Sequence, residues 1–279
     1  GGTSDLLVND DILTVGGAIT LTADNDVIFQ AGGDIASTFG GSAGGAISVR
    51  ADADNGGTSS GALTMADGTV INAAGGTIAL FADENITLGQ VTTTNSGTTA
   101  VTLTSTEGGI VDGGDTGGAD VIAGGRLVID AVTGVGNGAA LETTVASVDI
   151  DNATSGNIEI IETNAITVFK AVQGTAGNIV MTTSGTITVD NAGAGNAIAA
   201  AGTGTVTLDA NGTASDLLVN DGILSVNGAI TLTADNDVIF QAAGDIASTT
   251  GAVSVRADAD GGGTSSGALT MANGTVINA

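Results

Sequence analysis

The chain has 279 residues, of which 30 are Asp or Glu and only four are Lys or Arg, giving a formal net charge of -26. A surface this acidic repels nucleic acid and anionic lipid, so neither is an expected partner. Because His and Cys are both absent, Ser-His-Asp and Cys-His catalysis, disulfides and thiolate metal sites are excluded. No apolar run approaches the roughly 20 residues that a membrane-spanning helix needs, so membrane insertion is not expected either.

The chain repeats itself at long range. Residues 4–38 match residues 215–249 at an offset of 211, and only four of these 35 positions differ. Residues 50–73 match residues 256–279 at an offset of 206. We therefore expect one continuous solenoid over residues 1–279, in which residues 4–214 form one long unit and residues 215–279 begin the next. Because the chain opens and closes inside a repeat, we expect it to be a segment of a longer protein.

A shorter repeat lies inside the long one. Ile19 and Leu21 alternate with Thr20 and Thr22, a turn follows at residues 24–26, and further short strands are predicted at residues 27–30 and around Ile35. The same apolar-polar-apolar phrase recurs ten times between residues 18 and 252, with a mean spacing of 26 residues. Three short strands per coil, separated by Gly, Asp and Asn corners, predict an all-β fold, a right-handed parallel β-helix.

The competing secondary structures fit less well. An amphipathic helix would need apolar residues three and four positions apart over a dozen residues, and no stretch has them. The chain contains no Pro, which central strands exclude, and 47 Gly, which suit frequent turns. Antiparallel hairpins are the other β arrangement, but one strand type recurring once per coil is explained more simply by parallel stacking.

The middle of the chain is less regular. Residues 108–125 are the most glycine-dense stretch, so short strands are predicted there. Residues 157–160 are interpreted as the second strand of the coil that begins at Ser147, and the regular pattern returns at Asn178.

The phrases GGAITLTAD, GGDIAST and GAVSVRADAD resemble those of the filamentous haemagglutinin type of large bacterial exoproteins and adhesins. The likeness covers essentially the whole chain and rests on the style of the repeat. It implies a secreted protein at the cell surface, built from β-helical arrays, with an adhesive or fibre-forming role.

Aspartate recurs five residues after the first core position of five coils, which suggests a corner ladder of carboxylates. If neighbouring coils stack, consecutive carboxylates lie about 5 Å apart and repel one another unless a cation or a proton intervenes. Oxygen ligands alone favour a hard cation, with calcium first. Solvated turn residues are the simpler interpretation, since Asp is a common corner residue. The candidate calcium ligands are Asp24, Asp52, Asp83, Asp235 and Asp258.

A second acidic stretch holds Asp112, Asp115 and Asp120 among glycines. It is similar to glycine-aspartate calcium repeats but lacks their nonapeptide period. A pair of carboxylates acting on a glycosidic bond is the one enzymatic chemistry left open. Acidic residues here recur at equivalent corners instead of converging once, so we do not expect an enzyme.

Two functions remain. The first is a structural segment of a giant secreted protein, which self-associates by end-to-end stacking of solenoids into an extracellular fibre, sheath or stalk. The alternative is a cell-surface adhesin in which this segment is a rigid spacer for glycan or protein binding.

Overall fold

The computed structural model describes residues 4–38, 44–53, 61–114, 118–191, 193, 195–261 and 266–279. Those residues form strands and turns with no helix, and so no helix in them could span a membrane. The all-β prediction is confirmed, because parallel coils stack into a β-solenoid of about 10 turns spaced roughly 23 residues apart. That spacing is slightly shorter than the predicted mean of 26 residues. The chain divides into two compact units, Gly1–Ala146 and Ser147–Ala279, and the division falls inside the long unit predicted at residues 4–214.

The described residues of the first unit form fourteen complete strands and the beginning of a fifteenth. They are β1 (Leu6–Val8), β2 (Ile12–Thr14), β3 (Ile19–Thr22), β4 (Val27–Phe29), β5 (Ile35–Ser37), β6 (Ile47–Arg50), β7 (Leu63–Met65), β8 (Val70–Asn72), β9 (Ile78–Ala82), β10 (Ile86–Leu88), β11 (Gln90–Thr93), β12 (Val101–Ser105), β13 (Ile110–Asp112), β14 (Val121–Ala131) and β15 (Leu141–Asn152).

In the second unit, the part of the chain that the structure describes forms the end of β15 and fourteen further strands. They are β16 (Ile158–Glu162), β17 (Ile166–Gln173), β18 (Ile179–Thr183), β19 (Ile187–Val189), β20 (Ile198–Ala200), β21 (Val206–Ala210), β22 (Leu217–Val219), β23 (Ile223–Ser225), β24 (Ile230–Ala234), β25 (Val238–Phe240), β26 (Ile246–Ser248), β27 (Val253–Arg256), β28 (Leu269–Met271) and β29 (Ile277–Asn278).

In the first unit the strands form three parallel ladders. The first ladder runs β3, β6, β9, β12 and the second half of β14. The second ladder runs β1, β4, β7, β10 and β13. The third ladder runs β2, β5, β8, β11 and the first half of β14. Each of the four coils that begin at β3, β6, β9 and β12 thus gives one strand to each ladder, as the three-strand repeat predicted.

The strands of the second unit also form three parallel ladders. The first ladder runs β16, β18, β21, β24 and β27. The second runs from β17 through β19, β22 and β25 to β28. The third leaves the other half of β17 and passes through β20, β23 and β26 to β29.

Alternation along each strand builds the core. In β18, for example, Ile179 and Met181 are buried whereas Val180 and Thr182 are only partly covered. Parallel pairing in register then places equivalent side chains of successive coils next to one another. Ile47, for example, lies between Ile19 and Ile78. Each coil therefore buries its aliphatic side chains against those of the coils before and after it.

Two details of the middle region differ from the prediction. Within residues 108–125, where short strands were expected, β13 has three residues, but β14 begins at Val121 and has 11 residues. It is long because Gly124 and Gly125 bend it around a corner, where Cβ atoms would lie 2.8 Å from the Thr94 carbonyl oxygen and 2.3 Å from that of Gly97. The strand thus joins the third ladder to the first without a break.

The second correction concerns residues 157–160. Ile158 pairs with Ile179, which belongs to the first ladder, so β16 begins a coil instead of continuing one. Ser147 and Val148 pair with β17 at Thr167 and Val168, which places them outside the first ladder. The coil spacing here is only 20 to 21 residues, and the mean spacing used for the prediction was too long to resolve it.

Glycines allow neighbouring coils to approach closely at the corner before the first ladder. A Cβ atom on Gly228 would lie 2.1 Å from the carbonyl oxygen of Gly204, and one on Gly251 would lie 2.1 Å from that of Gly228. The buried hydroxyl of Ser225 lies 2.7 and 2.8 Å from the carbonyl oxygens of Gly204 and Gly228, and it accepts the Gly228 N–H at 2.9 Å. Glycine stacking and an inward hydroxyl together satisfy the backbone at this corner.

All four basic residues lie within strands. Arg50 ends β6 and its guanidinium lies 4.1 Å from the centre of the Phe81 ring, on the next coil. Lys170 in β17 forms an ion pair with Asp151. Arg126 lies in β14 and Arg256 ends β27.

Candidate cation sites

The five predicted corner aspartates each follow a strand of the first ladder, but their surroundings differ. Asp24 is exposed, Asp52 is 2% exposed, and Asp83, Asp235 and Asp258 are partly buried. Asp52 and Asp258 are copies of one another in the long repeat, and both have a positive φ, of 52° and 55°. Their N–H groups donate to Asn25 and Asn236, each at 3.0 Å. The corner geometry is therefore reproduced between the two copies.

Other corner aspartates connect one coil to the next. The carboxylate of Asp26 accepts the Ala62 N–H at 2.9 Å, and its copy Asp237 accepts the Ala268 N–H at 2.7 Å. Asp34 accepts the Val70 N–H at 2.8 Å, as its copy does with Val276. Each of these aspartates immediately precedes a strand of the second or third ladder. Their side chains serve as turn residues that also bond the following coil, a role that the five-residue spacing did not reveal.

One group of carboxylates does converge, in the first unit. Asp112 ends β13, Asp120 immediately precedes β14, and Glu142 is the second residue of β15. One carboxylate oxygen from each lies within 4.8 Å of the other two, and this is the only such trio of potential metal ligands among the described residues. None of the five corner aspartates belongs to it. Asp115, predicted from the same acidic stretch, lies outside the described residues.

Asp120 is the centre of this acidic cluster, which we define as Asp112, Asp120 and Glu142. Its side chain is completely buried. Oδ2 accepts the Glu142 N–H at 2.9 Å, whereas Oδ1 is buried without a hydrogen-bond partner. Burial raises the pKa of Asp120 from 3.8 to about 8; the Glu142 N–H opposes the rise, and the charges of Asp112 and Glu142 add to it. The raised pKa means that Asp120 holds a proton more tightly than a solvated carboxyl group does.

Glu142 was not among the residues that the sequence pattern singled out. It lies 22 residues after Asp120, which is about one coil. Adding one coil length to the positions of the acidic stretch at residues 112–120 would have identified Glu142 as a neighbour.

An open groove of about 300 Å³ lies elsewhere in the first unit, lined by Glu84, Asn85, Glu107, Gly108 and Thr133. Both glutamates are exposed. The groove is lined by no buried acidic side chain. The absence of enzymatic activity stays a prediction.

Asp209 provides a pH-dependent test of the outer surface of the first ladder. It lies between Thr182 and Thr233 in the ladder, and burial, followed by the charge of Asp235, raises its pKa above 3.8. Because its pKa is higher in the folded chain than in the unfolded chain, stability falls as pH rises from the unfolded pKa through the folded pKa. Asp209→Asn should therefore raise the urea midpoint at neutral pH, and the two proteins should converge at about pH 3. An unchanged difference between the two pH values would contradict the assignment.

Comparison of the chain with models of protein families, with curated proteins and with solved structures finds no match in any of the three.

Proposed function

We propose that this chain is a structural repeat segment of a secreted protein, which forms an extracellular fibre, sheath or stalk by end-to-end stacking of solenoid coils. The observation that carries the proposal is that successive coils stack in parallel register, each strand on its counterpart in the next coil. Leu63 in β7, for example, pairs with Val27 of the coil before it and with Ile86 of the coil after it, and it is 0% exposed.

The long repeat reproduces this pairing. Leu269, the copy of Leu63, pairs with Val238 of the coil before it and is 50% exposed in this chain. Coil surfaces of the same three-strand pattern thus recur along the chain, and a coil presented by another solenoid has the shape and hydrogen-bonding groups to stack on one of them.

Charge favours linear growth over lateral aggregation. The net charge of -26 makes the sides of two such solenoids repel one another. Contacts through the coil edges instead use backbone hydrogen bonds and aliphatic side chains, which are largely independent of net charge. The resemblance to large bacterial exoproteins supports secretion and residence at the cell surface.

The experiment is sedimentation velocity over a wide concentration range, with electron microscopy of the same samples. We expect concentration-dependent linear particles from the parent chain. Leu269→Lys should abolish them, because a charge on the uncovered edge prevents stacking. Thr270→Lys is the matched control, since Thr270 is the adjacent residue and its copy Thr64 is exposed even beneath the next coil. Monomers at every concentration, or equal loss of particles in both variants, would refute the proposal.

A further inference from the structure

The acidic cluster of the first unit is the strongest feature that the stacking proposal does not use. Its three members come from the end of β13, the start of β14 and the start of β15. Asp112 and Glu142 are half-buried, and Asp120 is entirely enclosed. The cluster therefore opens to solvent on the side of Asp112 and Glu142 and has Asp120 at its base.

Asp120 itself points to a ligand. Its Oδ1 is buried with no hydrogen-bond partner, in a chain where most buried polar side chains are satisfied. An unsatisfied buried carboxylate oxygen is costly, and two further carboxylates within 4.8 Å increase the cost. A cation placed among the three oxygens would satisfy Oδ1 and neutralise the repulsion at the same time.

The geometry and the ligand chemistry indicate which cation. The three oxygens lie within 4.8 Å of one another, so an ion that binds oxygen at about 2.4 Å, as calcium does, can reach all three. Magnesium requires near-octahedral geometry and gives up its water reluctantly, whereas calcium accepts irregular sets of oxygen ligands. The donor set contains only carboxylate oxygens, which disfavours zinc and copper.

We propose that Asp112, Asp120 and Glu142 bind one calcium ion, with Asp120 as the buried ligand and water completing the coordination on the exposed side. The ion joins three consecutive strands whose backbones belong to neighbouring coils. It would stabilise the first unit at the place where glycines are densest and the coils are least regular. The site is independent of end-to-end stacking and separate from the predicted corner ladder.

The test uses the whole chain, stripped with a chelator and then titrated with calcium by calorimetry. We expect the parent chain to bind one calcium ion at the acidic cluster. Asp120→Asn should abolish this binding, and Glu142→Gln should weaken it roughly tenfold or more, because ligand charge sets the affinity of calcium sites. Saturating calcium should raise the Tm of the parent by about 5 °C. In Asp120→Asn, calcium should give no heat of binding at this site and no rise in Tm. The variant is expected to fold, because asparagine has nearly the same shape as aspartate. Magnesium should bind more weakly than calcium.

Asp24→Asn is the control, because Asp24 is an exposed corner aspartate outside the cluster. It should keep the calcium affinity and the Tm shift of the parent. The proposal is overturned if calcium leaves both the heat and the Tm of the parent unchanged, which would mean that the cluster holds only a proton. It is also overturned if Asp120→Asn retains all calcium binding, since the ions would then belong to the corners.

Discussion

Gly228→Ala is expected to destabilise the chain by roughly 3 kcal/mol. The added methyl group would lie 2.1 Å from the Gly204 carbonyl oxygen and 2.5 Å from its carbonyl carbon, closer than non-bonded atoms can approach. Both contacts are with backbone, so no side chain can rotate away. The coils would have to separate, which breaks the hydrogen bonds that join Ser225 to Gly204 and Gly228. We expect the Tm to fall by about 6 °C, as measured by far-ultraviolet circular dichroism.

Gly17→Ala is the matched control, because Gly17 occupies the same position of the long repeat as Gly228. Its nearest neighbour would be the Thr14 Cβ atom at 3.6 Å, an ordinary contact. The substitution should change stability by less than about 0.5 kcal/mol. If the two alanine variants were equally destabilised, the loss would arise from the backbone preference of glycine and not from the approach of coils.

Leu63→Ala is expected to cost about 3 kcal/mol, because the side chain is fully buried between coils and its removal leaves a cavity. Its copy Leu269 is 50% exposed, so Leu269→Ala should cost less than about 1 kcal/mol. Urea unfolding of the two variants at a dilution that keeps the chain monomeric measures the difference directly.

The same pair reports on assembly. At concentrations where linear particles form, the cost of Leu269→Ala should rise towards that of Leu63→Ala, since stacking would bury the side chain. Equal costs at all dilutions would show that Leu269 is buried already, in conflict with the structure.

The regular coils were predictable from the sequence because strand alternation has a period of two and parallel stacking places each strand beside its counterpart in the next coil. The recurring apolar-polar-apolar phrase includes Ile19, Ile47, Ile78 and Val101, and all four belong to the first ladder. The prediction was wrong where strand residues form a corner. The glycine-dense stretch predicted short strands, yet in the structure Gly124 and Gly125 bend a single strand of 11 residues.

The candidate site was only partly predictable. Aspartates are frequent at the corners, so the five-residue spacing alone picked out residues in different environments. Asp24, for example, is exposed, whereas Asp52 is buried. To predict the acidic cluster, one would have to know which residues of the next coil lie beside Asp120. Those neighbours depend on the local coil length, which varies from 20 to 36 residues along the described part of the chain.

The placement of the basic residues bears on how the chain survives proteases. Trypsin cuts after Lys or Arg and must draw several residues into its cleft in an extended, unpaired form. Arg50, Arg126, Lys170 and Arg256 are each held in a hydrogen-bonded strand, and no surface turn offers a cleavable bond of this kind. Digestion by this class of enzyme is therefore expected to require the local opening of a strand.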